Sequence, residues 1–147
     1  MQLLKILKEL NLNKQKKIFN NNIKIKNISQ YSKEVNKGDL FISLKGRGYG
    51  SNSFVSEAIN KGAVAIITDT SYKYNNKNFP LIYDKNIKKK LSNLLVYFYK
   101  NLPSNNIAVT GTNGKTSVAW CVYNILLLNN ISSTYTGTIG TYFNNKK

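Results

Sequence analysis

The run Thr110-Gly111-Thr112-Asn113-Gly114-Lys115-Thr116-Ser117 constrains the fold more than any other stretch. It follows Ile107-Ala108-Val109, an apolar triplet that reads as a buried strand, and it opens an apolar segment from about Lys115 to Leu128 that reads as a long helix. Its Gly114-Lys115-Thr116 core matches the end of a phosphate-binding loop. Glycines there let backbone N–H groups converge on phosphate oxygens, and the positive end of the following helix adds to the field. Lys115 supplies a mobile point charge for the terminal phosphate, and the Thr116 hydroxyl is suited to ligate Mg²⁺. The general pattern G-x-x-x-x-G-K-[ST] asks for glycine where this chain has Val109; Gly111 sits four residues before Lys115 instead. The simpler alternative is a glycine turn that caps a helix, with a lysine nearby through composition. The strand–loop–helix context favours the phosphate loop.

Upstream, strands and helices alternate, which argues for an α/β class. Leu3, Leu4, Leu7 and Leu10 at helical spacing predict an amphipathic helix within Met1 to Leu12. Asn11 to Asn22 is polar and reads as a loop; Ile23, Ile25 and Asn27 alternate with lysines at the period of a half-buried strand. Gly38-Asp39 turns the chain into Leu40 to Leu44, a buried-strand run, and Gly46 to Asn52 follows as a flexible stretch. Ser53 is placed to cap a helix through Lys61, with Gly62 just past its end. Ala63 to Thr68 reads as a fully buried strand, Asp69 to Phe79 as a loop, and Leu81-Ile82-Tyr83 as a short strand. Asn86 caps a predicted helix through Leu91, Leu94, Leu95 and Phe98. Asn101 to Asn106, with Pro103, reads as a linker that separates a first domain at 1–103 from a second unit at 104–147, where a further short strand is expected around Ser133 to Thr136.

Composition removes several classes of function. With 41% hydrophobic and 19% charged residues, the chain of 147 residues is too apolar for a disordered segment. No apolar run approaches the roughly 18 residues of a membrane span, so the expectation is a soluble, cytoplasmic protein. The single cysteine, Cys121, excludes an internal disulfide, and the absence of histidine removes Ser-His-Asp and Cys-His catalysis. Twenty-two basic against six acidic residues give a net charge of +16, the kind of excess that attracts nucleic acid. Yet Arg47 is the only arginine, and the lysines are scattered among Asn, Ile and Tyr, all encoded by A/T-rich codons. The excess therefore reads as compositional drift, with no specific nucleic-acid partner expected.

The loop and its flanks together resemble the Mur ligases, the ADP-forming enzymes that add amino acids to the peptidoglycan precursor UDP-N-acetylmuramate. TGTNGKT with its displaced glycine is similar to their ATP loop. Tyr31-Ser32-Lys33, Val35 and Gly38-Asp39-Leu40-Phe41-Ile42 resemble the family's D-S-R-x-V-x-x-G-D-L-F-x-A segment, and Ala58 to Ala65 resembles its A-x-x-x-G-A-x-A element. Gly137-Thr138-Ile139-Gly140 resembles the G-T-[IV]-G turn of the tripeptide-synthetase branch, MurE. The motifs fall in the family's order from about Ile23 to Gly140.

The resemblance implies a small UDP-binding domain followed by the start of a P-loop ATPase-type domain. It implies ATP contacts from Gly111, Thr112, Asn113, Gly114, Lys115, Thr116 and Ser117, with Thr116 also on Mg²⁺. It implies contacts to the UDP-N-acetylmuramoyl-peptide from Gln30, Ser32, Arg47, Gly48 and Tyr49, the first two toward the diphosphate and the rest on a loop that closes over it. An ordinary flexible loop is the bland reading of Gly46 to Gly50. Two departures stand out: the family's Asp-Ser-Arg is Tyr31-Ser32-Lys33 here, and its Asp-Gly-His is Gly50-Ser51-Asn52. The family's chemistry activates a carboxylate as an acyl phosphate, which an amine then attacks to give an amide. It draws on a glutamate, a histidine and a modified lysine beyond the P-loop, whereas this chain has no acidic residue after Asp84. The expectation is a portion of such a ligase, inactive by itself. A non-catalytic nucleotide- or UDP-sugar-binding module and a basic nucleic-acid-binding protein remain as alternatives.

Overall fold

The computed structural model describes residues 1–12, 22–45, 52–71, 79–144 and 146. The chain divides into two compact units, Met1–Leu102 and Pro103–Lys147.

The first unit is built on four parallel strands, β1 (Ile28–Ser29), β2 (Leu40–Ser43), β3 (Ala65–Thr68) and β4 (Leu81–Tyr83), laid side by side in sequence order. Leu40 pairs with Ala65, and Ile66 with Leu81. Every residue of β2 and β3 is buried, as expected of strands covered on both faces. Alternation along the strands sorts the core into two layers. Leu40, Ile42, Ala65, Ile67 and Ile82 face helices α1 (Leu3–Glu9) and α3 (Ile87–Phe98), meeting Ile6, Leu7, Ile87 and Leu94. Phe41 and Ile66 face the other way, onto Val55 and Ala58 of α2 (Asn52–Asn60) and onto Val35. The result is an α/β sandwich of three layers.

Buried polar groups punctuate the strand ends. The Ser29 hydroxyl donates to the Tyr31 carbonyl at 3.0 Å and accepts from the Tyr31 N–H at 3.2 Å, turning the chain out of β1. Asp39, 2% exposed, accepts from the Asn36 N–H at 2.8 Å and so fixes the turn into β2. A 3₁₀ turn at Ser32–Glu34 lies between these two turns.

The second unit consists of α4 (Lys115–Leu128) and a hairpin of β5 (Thr134–Gly137) and β6 (Gly140–Phe143). Tyr135 pairs with Tyr142, and Gly137 closes against Gly140 across Thr138-Ile139. Trp120 of α4 holds the hairpin: its ring lies 5.3 Å from Tyr135 and 5.0 Å from Tyr142, both edge-on, the favoured aromatic geometry. Asn144 ties the open end, accepting from the Ser133 N–H at 3.1 Å.

Three expectations differ from what forms. Ile23 to Asn27 is not a strand; it meets the N-terminus instead. The Ile25 N–H donates to the Met1 carbonyl at 2.6 Å, the Met1 ammonium donates to the Ile25 carbonyl at 2.7 Å, and Gln2 and Lys24 form an isolated antiparallel bridge. That pairing ends where α1 begins, so no ladder extends, and the first strand appears later, at Ile28. Ile107-Ala108-Val109 is likewise not a strand. A strand exists through its neighbours' hydrogen bonds; none pairs with it among the described residues, and Ile107 is 66% exposed. Helix α2 begins at Asn52, so Ser53 lies inside it rather than capping it. Asn86 does stand at the N-cap of α3 as expected, though its side chain makes no cap bond.

Candidate functional site

The loop at 110–114 leads directly into α4. Gly114 is the N-cap, with φ +74° and ψ −1°, a left-handed conformation in which a side chain is strained. Space is not the constraint, since a Cβ there would meet nothing within 4 Å. No side chain caps the start of α4. A helix start leaves its first N–H groups without intrahelical partners, and together with the helix dipole they favour an anion. Residues 110–115 are all exposed, so the cradle opens to solvent.

The Lys115 ammonium folds back over the loop, donating to the carbonyls of Gly111 at 2.5 Å and Thr112 at 3.1 Å. Those are weak neutral acceptors compared with a phosphate, and an ammonium has three donors. The charge is thus held directly over the loop. Thr116, one residue on and half-buried, sets its hydroxyl oxygen 2.9 Å from that of Thr138.

In the first unit, parallel pairing brings the carboxyl ends of β1, β2 and β3 to one edge of the sheet. Open α/β sheets bind ligands at that edge. Gln30 is exposed just past β1. Ser32, 5% exposed, donates to Glu57 Oε2 of α2 at 2.5 Å. The Lys61 ammonium lies 3.9 Å from Glu57 Oε1 and donates to the Lys33 carbonyl at 2.5 Å, closing a small network. Asp69, just past β3, accepts from the Lys45 N–H at 2.7 Å, so the ends of β2 and β3 are tied together. Arg47, Gly48 and Tyr49, which continue the chain beyond Lys45, lie outside the described residues.

A glycine turn at the head of a helix and an open carboxyl edge on a parallel sheet are shared by many proteins. No family model matches the chain. Curated relatives are more specific. The chain is 40% identical over 120 residues to a UDP-N-acetylmuramoyl-L-alanyl-D-glutamate--2,6-diaminopimelate ligase of Rickettsia montanensis, covering 80% of this chain and 24% of that protein. It is 39% identical over 123 residues to ligase 2 of the same name from Clostridium acetobutylicum, covering 82% and 25%. The chain belongs to the Mur ligase family. A solved UDP-N-acetylmuramoyl-L-alanyl-D-glutamate--2,6-diaminopimelate ligase shares the fold, with a TM-score of 0.61 at 24% identity over 81% of this chain and 25% of that one. A MurF ligase from Thermotoga maritima in complex with ADP matches with a TM-score of 0.57 at 27% identity, over 79% and 26% of the two chains. This Mur ligase chain spans about a quarter of the length of the curated relatives it matches.

Two polar partners in this Mur ligase chain escaped the sequence reading. Glu57 carried no signal beyond its place in a predicted helix, and Thr138 was read only as part of a turn. Among the described residues no group of three His, Cys, Asp or Glu side chains is placed to hold a metal ion. Mg²⁺ prefers an octahedron of oxygens and keeps several waters, taking few protein ligands beside phosphate. The Thr116 hydroxyl, beside an open loop and with a neighbouring oxygen to take its proton, fits that role as a single protein ligand.

Proposed function

We propose that the chain is the UDP-substrate-binding domain (1–103) and the opening of the ATP-binding domain (104–147) of an ATP-dependent, ADP-forming amide ligase. By this reading the whole enzyme adds the third amino acid to a UDP-N-acetylmuramoyl-dipeptide in peptidoglycan synthesis, in the cytoplasm. Gly111 to Ser117 hold the phosphates of ATP, with Lys115 swinging from the loop carbonyls onto the terminal phosphates. Gln30 and Ser32, with Arg47, Gly48 and Tyr49, receive the UDP portion. Thr116 holds Mg²⁺, which when bound neutralises phosphate charge. The relatives' names and the ADP-bound neighbour support the assignment. The observation that carries it is the cradle itself: a left-handed Gly114 at an uncapped helix start, with the Lys115 ammonium held over the loop. A nucleotide diphosphate is the ligand those groups suit.

The reading also holds that this chain alone forms no amide bond. Helix α4 is apolar around its circumference, with Val118, Ile125 and Leu128 exposed. Such a helix belongs inside a larger domain.

The deciding experiment is calorimetric titration of the 147-residue chain with ADP and ATP. The unaltered chain binds weakly. Lys115→Ala removes a charge-assisted contact of about 1.5–3 kcal/mol, which lowers affinity about tenfold to a hundredfold. Lys146→Ala removes the same charge from an exposed position outside the loop and leaves affinity unchanged. Equal affinities in the two variants would mean that attraction is diffuse and no cradle exists. Thermal melts of both variants separate loss of binding from loss of folding.

A further inference from the structure

We propose that Thr138 is a positioning residue for the nucleotide site, serving as the acceptor that aims the Thr116 hydroxyl at a divalent cation. The inference rests on the nucleotide reading above and names a residue it does not include. A hydroxyl that ligates a cation gives the metal a lone pair, so its proton must go to another acceptor. Thr138 Oγ1, at 2.9 Å, is able to accept that proton from Thr116 Oγ1. With its proton directed there, Thr116 turns a lone pair elsewhere, and a bound cation makes its O–H a stronger donor. The link therefore tightens when the cation is present.

The fold holds Thr138 in place for this. It occupies a two-residue turn whose flanking glycines, Gly137 and Gly140, pair across the hairpin. Beneath the turn, the side of Gly137 where a Cβ would project is filled by the Tyr135 hydroxyl. Tyr135 is 4% exposed and set among Trp120, Tyr123 and Tyr142. The turn is thus seated on an aromatic cluster that also grips α4, the helix whose first turn carries Thr116. One rigid body carries both hydroxyls.

The test is ADP affinity of the 147-residue chain with Mg²⁺ and with EDTA, for the unaltered chain, Thr138→Val, Thr138→Ser, Thr116→Val and the Thr116→Val/Thr138→Val double variant. Mg²⁺ strengthens ADP binding to the unaltered chain. Thr138→Val cuts that gain about two- to tenfold, the worth of one hydrogen bond, and leaves affinity in EDTA unchanged. Thr138→Ser, which keeps the hydroxyl, restores the gain. In the Thr116→Val background, Thr138→Val has no further effect. A full Mg²⁺ gain in Thr138→Val overturns the inference and leaves the nucleotide reading standing. Equal losses with Mg²⁺ and with EDTA also overturn it, as the mark of a merely structural residue. Failure of the unaltered chain to bind ADP at all overturns both. Thr138 is exposed, so its variants fold; Thr138→Ala, measured alongside, carries the same expectation should Val disturb the turn.

Discussion

The Lys90 ammonium of α3 stands 2.8 Å from Asp84 Oδ2 and 2.8 Å from the carbonyl of Leu10. One side chain thereby ties the end of β4 to the end of α1 across the layer that holds Leu94 and Ile87. Asp84 is 7% exposed and also accepts the Asn86 N–H at 3.0 Å, fixing the start of α3. Removing Lys90 strands a buried carboxylate, whereas Asp84→Asn leaves a neutral group that keeps the turn. Lys90→Ala is expected to cost about 1.5–3 kcal/mol, the worth of hydrogen bonds to a charged group, and Asp84→Asn distinctly less. Urea denaturation measures both, and the reverse order would show that the carboxylate is not the costly partner.

The hairpin offers a second test. The Tyr135 hydroxyl is buried and has no hydrogen-bond partner among the described residues. Tyr135→Phe removes an unsatisfied group and is expected to leave stability unchanged or raise it by up to about 1 kcal/mol. Gly137→Ala drives a methyl group into that hydroxyl and costs about 1–3 kcal/mol, as overpacking does. Combining the two recovers only part of the loss, because the ring carbon behind the hydroxyl would still lie 2.7 Å from the new methyl group. Thermal melts of the four chains check the ordering; additive losses would mean the two positions do not meet.

Ser32 and Glu57 form a single hydrogen bond, so their substitutions should not add. Ser32→Ala is expected to cost about 1.5 kcal/mol, the low end for a charged acceptor, since the Glu57 side chain is 34% exposed. Glu57→Ala costs a similar amount, and the double variant little more than either. A chemical-denaturation cycle measures the coupling, and full additivity would sever Ser32 from α2.

The charge of +16 gives a fourth expectation. Binding to DNA or RNA should be weak, indifferent to sequence and lost steeply as salt rises, because scattered lysines engage phosphate only by displacing counterions. Fluorescence anisotropy across a salt series measures the slope. Sequence-dependent binding that persists at physiological ionic strength would make the lysines a recognition surface.

Residues that announce themselves through type and spacing were legible before any coordinates. The runs 40–44 and 63–68 contain the strands Leu40–Ser43 and Ala65–Thr68 because their composition suits burial on both faces, and Lys115–Leu128 is a helix with the predicted bounds. The glycine turn that opens α4, with Lys115 folded over it, was legible because glycine and lysine at fixed offsets before an apolar run specify that local geometry. Pairing was not legible. Ile23 and Ile25 have a strand's period but pair with Leu3 and Met1, and Ile107 to Val109 has a strand's composition but no strand partner among the described residues. Side-chain partners were least legible of all. Nothing in the local sequence links Ser32 to Glu57 across 25 positions, or Thr116 to Thr138 across 22, since those contacts exist only once the elements have packed.

The spatial order β1-β2-β3-β4 repeats the order in which the strands leave the ribosome. No strand must be threaded between two already joined, so each arrival docks on the free edge its predecessor has just presented. Assembly can advance with translation, at roughly 5–20 residues per second, without waiting for distant sequence. The exception is α1. Its Ile6 and Leu7 are made before any of the strands, yet their layer is finished only by Ile87 and Leu94 of α3. A segment made before all four strands is therefore among the last to be fully shielded from water.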